Sequence, residues 1–223
     1  MNSCKTLLLG FLLWANAAQG EEPLREIARY ALKTEEIYAG SIAPSVISHE
    51  FGLTLVSFAG TGWRRDIILP SATTAAKILT QCGVSLSSIE WHELDGPEKY
   101  KYFFVPVSTE LVRQVSFPKP TVYFVKDTLQ PVGFDAEAIG KSNSLTRPEL
   151  RDTIWVAYGA RDLGVSLAHE LAHVLMDSGK HVNEPDNLMN EESSLQSLKL
   201  SPAQCERMRV SGSENGLLQP VAR

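Results

Sequence analysis

The chain has 223 residues, 43% of them apolar and 21% charged, the make-up of a globular protein with one sizeable core. Its formal charge is −5 and no run rich in lysine or arginine occurs, so the electrostatic footprint of a nucleic-acid binder is missing. A single main domain is the expectation.

Residues 1–20 read as a signal peptide. Lys5 gives a positive start, "TLLLGFLLWA" an apolar centre, and Ala18 and Gly20 fit the −3 and −1 positions of a cleavage site, so the mature chain is expected to begin at Glu21. The apolar run is shorter than the roughly 20 residues of a spanning helix, which argues against an anchor. The expectation is a secreted or periplasmic protein with no membrane partner after signal removal. Loss of Cys4 with the signal leaves Cys82 and Cys205, two thiols able to form one disulfide in an oxidising compartment. So long a closed loop would restrict the unfolded chain by ~3–5 kcal/mol in the chain-entropy model.

Residues 21–50 read as an N-terminal lead-in with a helix around "LREIARYALKTEEIYAG". "LTLVSFAG" (Leu53 to Gly60) then reads as the first strand of a main domain spanning 51–210. Pro70 and Ser71 open a short helix, with Ser71 as N-cap and Gly83 as stop. "VSLSSIEWHEL", "KYFFVPV", "TVYFVKD" and "DTIWVAYG" are rich in Val, Ile, Phe, Tyr and Trp and read as strands. The polar stretch "DAEAIGKSNSLTRPEL" reads as a solvated loop, with the alternative of an edge that receives an extended peptide. The period turns helical in "RDLGVSLAHELAHVLM": Leu167, Leu171, Val174 and Leu175 share one stripe, and His169, Ala172, His173 and Met176 the next. A last helix opens at Ser201 as N-cap with Pro202 behind it. From about residue 211 a loose polar tail is expected, to 223. The order suggests an α+β domain, a mixed sheet backed by helices.

"HELAH" carries the chemistry. His169 and His173 stand four apart on a helix, about 40° from one another on adjacent turns, so both imidazoles can reach one tetrahedral Zn²⁺. Glu170 lies between them, beside the metal and not on it, where a carboxylate can take a proton from water that zinc has acidified. That is peptide-hydrolysing chemistry. Gly179 is a natural helix stop, and His181 follows it, placed to return from the loop as third ligand. Met189 is apolar in a polar loop, which suits a platform beneath a His₃ site. Glu191, eighteen residues past His173 and preceded by Asn190, is an alternative third ligand, and Asp177 near the helix end is another. His49 and His92 have no partners in sequence and read as structural histidines.

These residues resemble the metzincin metalloproteases, whose pattern H-E-x-x-H-x-x-G-x-x-H is followed by a turn carrying a methionine under the metal. The resemblance is specific over residues 167–189 and architectural over roughly 53–210. It implies a zincin-like fold, a zinc cofactor on His169, His173 and His181, Glu170 as general base, Met189 in the Met-turn, and an endopeptidase acting on peptides or proteins; a monomer is a separate expectation. The chain departs from the pattern in its spacing. Met176 stands at the family's glycine position and Gly179 at its histidine position, so the third histidine is displaced by two residues. No tyrosine follows Met189 closely, so the extra tyrosine ligand of some relatives is not expected. Glu191 as third ligand would instead resemble the gluzincins, and a secreted zinc- or partner-binding protein on the same scaffold is the non-catalytic alternative. "QCGV" around Cys82 has a superficial likeness to a cysteine-switch segment but lacks its flanking arginine and aspartate.

Overall fold

The structure, a computed structural model, describes residues 22–39, 47–130, 133–191 and 194–221. The expected signal peptide, with Cys4, lies outside the described residues. The chain opens with β1 (Arg25–Lys33), one short turn of helix α1 (Thr34–Ile37), β2 (His49–Phe58), α2 (Arg65–Leu79) and β3 (Val84–Asp95). β4 (Tyr102–Phe103), α3 (Val105–Val115), β5 (Thr121–Val125), β6 (Asp127–Thr128), β7 (Ala136–Ile139) and β8 (Thr153–Ala157) follow. The last elements are α4 (Leu163–Met176), α5 (Pro202–Glu214) and β9 (Gln219–Pro220). No helix among the described residues is long and apolar enough to cross a membrane.

The main sheet has the order β1-β3-β2-β5-β8-β7, with β9 added beside the start of β2. β3, β2, β5 and β8 run parallel, and the two edge strands β1 and β7 are antiparallel to their neighbours. The central strands bury both faces, so alternate side chains feed two cores. Leu53 and Leu55, Val122 and Phe124, Ile154 and Val156 face α2, α4 and α5, whereas Val56 and Phe58, Tyr123 and Val125, and Trp155 pack with Leu111 and Val112 of α3. The result is the α+β mixed sheet that the order of elements implies.

Several elements differ from their sequence reading. Within the lead-in, Arg25–Lys33 form a strand where a helix was expected, and only Thr34–Ile37 of the expected stretch is helical. Its backbone pairs along β3 from Arg25↔Asp95 to Lys33↔Ser88, and Arg25–Asp95 and Arg29–Glu90 ion pairs line the seam. Lys, Glu and Ala favour a helix in isolation, yet the open edge of β3 offers a row of backbone partners that overrides this preference. α2 begins six residues before Ser71 and carries Pro70 within it. Burial of Ile68 and Leu69 draws the earlier turn into the helix. "KYFFVPV" supplies only two strand residues before α3 begins; the β-branched Val105, Val107, Thr109, Val112 and Val115 concealed a helix with Pro106 in its first turn. Residues 211–220, within the expected tail, are ordered: α5 continues to Glu214, Leu217 and Leu218 are buried, and β9 pairs with His49 and Glu50.

Candidate metal centre

α4 is buried on nearly every side, from Val165 through Met176. It crosses α2 at Gly164, where a β-carbon would come within 2.8 Å of the Thr74 side chain, so glycine is what lets the two helices approach. The helix stops earlier than Gly179. Asp177 takes the left-handed position, with φ 46° and ψ 55°, and the chain then turns back toward His181.

Two backbone carbonyls aim the helical histidines. Leu188 C=O accepts Nδ1–H of His169 at 2.6 Å, and Ser178 C=O accepts Nδ1–H of His173 at 2.5 Å. A carbonyl only accepts, so each neutral ring keeps its proton on Nδ1 and turns a bare Nε2 inward. Nε2 of His181 comes to the same point from the loop. The three Nε2 atoms lie 2.9 Å (His169–His173), 3.1 Å (His173–His181) and 3.2 Å (His169–His181) apart. Bare lone pairs brought this close repel unless a cation sits among them. The separations are also close to the edge of a tetrahedral face built on Zn–N bonds of ~2.0–2.1 Å. Burial pushes His173 down to about 4, with His169 beside it adding to the fall, and burial lowers His169 as well. Both rings are therefore neutral and ligand-ready at neutral pH. The residues present fit a zinc ion.

Glu170, on the same helix, is half-buried under β7. Burial pushes its carboxyl up to about 8, Glu137 adds to the rise, and the Ala138 backbone N–H donates to it and opposes the rise. A cation on the triad would draw it back down. The origin of that N–H lies in the strand register. Asp135 C=O accepts from Ala157 and Ile139 C=O accepts from Asp152, so the odd-numbered residues bond to β8 and Ala136 and Ala138 turn their peptide groups outward over the site. The stretch read as a solvated loop thus begins as an edge strand. Cavities flank the triad along this edge. One of about 210 Å³ is bounded by Gly140, Asn143 and Gly179 on the His173 side. One of about 650 Å³ is bounded by Asp135, Arg161, Ser166 and Glu191 on the His169 side.

Met189 is fully buried, in a loop that positions two of the histidines. Val182 N–H, next to His181, donates to Met189 C=O at 2.9 Å, and Leu188 supplies the carbonyl to His169. Asn187 ties the loop together. Its Oδ1 accepts Met189 N–H at 2.9 Å, and its Nδ2 donates to Glu184 at 3.0 Å and to Gln204 at 3.1 Å. Sequence reasoning missed Asn187, the two aiming carbonyls and the Ala138 N–H. Backbone groups leave no residue-type signal, and only the turn-like "PDN" hinted at Asn187.

Among the described residues, the histidine, cysteine and carboxylate group able to share a metal is His169, His173 and His181. Glu191 is exposed and lines the larger cavity, outside that group. Asp177 faces away, its Oδ1 accepting the Ser142 backbone N–H at 2.7 Å. His49 bonds to Ser48, and the buried His92 donates from Nδ1 to Glu26 at 2.7 Å, so both have structural partners. Cys82 and Cys205 are joined in a disulfide across 123 residues of sequence.

No family model and no curated protein matches the sequence. Among solved structures, the chain is similar to metalloproteinase-II from Bacteroides fragilis, at 16% identity and a TM-score of 0.48 over 76% of this chain and 55% of that one. It is also similar to archaemetzincin from Methanopyrus kandleri, at 15% identity and a TM-score of 0.48 over 77% of this chain and 99% of that one. The chain spans about half the length of the Bacteroides protein, and neither likeness assigns it an activity.

Proposed function

We propose that the chain is an exported, zinc-dependent endopeptidase of metzincin type, in which His169, His173 and His181 hold the metal and Glu170 is the general base. The convergence of three Nε2 atoms within 3.2 Å, two of them bared by carbonyls on Nδ1, beside a desolvated carboxylate and beneath an open strand edge, carries the reading. Zinc, when bound, supplies Lewis acidity, lowering the pKa of water towards ~7 and polarising a carbonyl oxygen.

The chain's own residues do the rest. An extended peptide adds to the outer edge of β7, where the N–H and C=O of Ala136 and the C=O of Ala138 stand in strand register, the Ala138 N–H being engaged by Glu170. Glu170 takes the proton released as water attacks the scissile carbonyl carbon and returns it to the leaving amine. The Ala138 N–H holds the Glu170 carboxylate toward the substrate strand. The buried Met189 forms the floor of the loop that carries His181.

Glu170→Ala tests the reading. The purified variant is expected to keep its zinc and to lose cleavage of an unfolded protein substrate by a factor of ~10² or more, the scale of a removed general base. Cleavage by this variant at the wild-type rate sinks the mechanism. A wild-type protein that holds zinc yet cleaves nothing across a broad peptide library is instead a zinc-binding protein on this scaffold.

A further inference from the structure

Asp177 sits where two parts of the site meet. It ends α4 in the left-handed region, at φ 46°, which aspartate tolerates better than most residues with a β-carbon. Its backbone N–H donates to the His173 and Val174 carbonyls. Ser178, the next residue, donates its N–H to His173 C=O at 3.1 Å and accepts His173 Nδ1–H at 2.5 Å. From α5, Arg207 caps this end, donating from Nε to Met176 C=O at 2.9 Å and from Nη2 to Asp177 C=O at 3.3 Å. The backbone of Asp177 is thus part of the turn that aims His173.

Its side chain reaches the other way. Asp177 Oδ1 accepts the backbone N–H of Ser142 at 2.7 Å, three residues past the end of β7. The chain between runs tight on the helix end: a β-carbon on Gly140 would lie 3.3 Å from Asp177 Oδ1 and 3.9 Å from His173 C=O. Ser142 itself is exposed, so its N–H would otherwise meet water. One residue therefore joins the His173 turn to the strand whose Ala138 N–H contacts Glu170.

We infer that Asp177 is a positioning residue: its carboxylate latches the end of β7 to the end of α4 and so fixes the peptide-binding edge over Glu170 and the histidine triad. The consequence for cleavage rests on the proposed function, whereas the latch does not.

Amide hydrogen exchange on the zinc-loaded protein tests it, in wild type, Asp177→Asn and Asp177→Gly. Asparagine keeps the oxygen acceptor and tolerates positive φ; glycine keeps the conformation and removes the acceptor. In wild type the Ser142 amide is expected to exchange at least ~10-fold more slowly than an open loop amide, the effect of one net hydrogen bond. Asp177→Gly is expected to release Ser142 and to speed exchange at Glu137, whose amide pairs with β8, and at Ala138, which faces Glu170, by about 10-fold, while Asp177→Asn stays within about twofold of wild type. Zinc content should be unchanged in both. With a cleaved peptide, the Asp177→Gly defect should fall more on KM than on kcat, since the strand it loosens binds substrate; a purely stabilising residue would leave the KM of the folded protein alone. Loop-rate exchange of Ser142 in wild type overturns the proposal even if Asp177→Gly fails to fold. Unchanged β7 protection in a folded Asp177→Gly overturns it too, as does zinc loss that accounts for the whole defect. If wild type cleaves no peptide, the proposed function fails while the exchange and zinc measurements still decide the latch.

Discussion

At the scale of single residues, the third histidine carries the most weight. His181 stands two positions later than the familiar spacing, and the extra length is taken up by α4 running to Met176 and by Asp177, not Gly179, adopting the left-handed turn. Glu191 shares the larger cavity with His169 and His181 but lies outside the nitrogen triangle. His181→Ala is therefore expected to purify without zinc and Glu191→Ala with about one equivalent, the three-ligand protein site being what holds the ion; metal analysis of the two variants checks this, and the reverse pattern would exchange their roles.

A second residue-scale prediction concerns Lys119. Its Nζ is buried without a hydrogen-bond partner, and burial pushes it down to about 8 while Asp152 opposes the shift. Burial likewise lifts the Asp152 carboxyl, with Arg151 and Lys119 drawing it back. A folded pKa below the unfolded 10.5 means that the unfolded chain binds the proton more tightly between about pH 8 and 10.5. Stability from this group is thus present above the unfolded pKa and is lost as pH falls through 8. The unfolding free energy of wild type should gain on that of Lys119→Met by ~1.4 kcal/mol per pH unit across this window, until the shift is exhausted. Parallel denaturant titrations at pH 7.5, 9 and 10.5 read the difference, and curves that stay parallel refute it.

At the scale of elements, the loop from His181 to Asn190 does what no helix or strand does, since it supplies both a ligand and the carbonyl that aims another. Asn187 holds it with three partners while almost fully buried. Asn187→Ala leaves the Met189 N–H without its acceptor, at a cost of ~1–3 kcal/mol. Because Leu188 C=O aims His169, zinc affinity should also fall by about 10-fold, the lower end of what outer partners of metal ligands contribute. Thermal melts and zinc titration check both effects, and a destabilised variant with unaltered zinc affinity would separate the loop from the site. This loop also marks how far the sequence was legible. His169, Glu170 and His173 were readable because a helical period fixes where residues one and four apart project. Met189 stood out as an apolar residue among polar ones. The carbonyls of Ser178 and Leu188 and the N–H of Ala138 could not be read, because every residue has them and only tertiary placement selects three. β1 and α3 were misread for a related reason: the local preferences of "REIARYALK" and "VPVSTELVRQV" point away from the pairing edge and the apolar sheet face that decide their conformations.

At the scale of the whole molecule, the C-terminal segment closes one face of the sheet. α5 packs beside α4, Leu217 and Leu218 enter the core, and β9 joins the start of β2. The Cys82–Cys205 disulfide ties α5 to the turn after α2, and Arg209 Nη1 donates to Cys82 C=O at 2.7 Å across the same seam. The disulfide, Arg209, Leu217, Leu218 and β9 orient no histidine of the triad; that work belongs to α4, the turn at Ser178 and the His181–Asn190 loop, which α5 reaches through Arg207 and Gln204. Stability and site geometry should therefore separate. A Cys82→Ala/Cys205→Ala variant is expected to lose ~3–5 kcal/mol by the chain-entropy argument. For a protein of this size that lowers Tm by roughly 6–20 °C. At 25 °C, well below the melt, it should still bind zinc as wild type does. Calorimetry and zinc titration of the double variant distinguish the cases: a lower Tm with unchanged zinc affinity fits a brace that is remote from the metal, whereas parallel loss of both would mean that α5 sets the position of α4 and with it the triad.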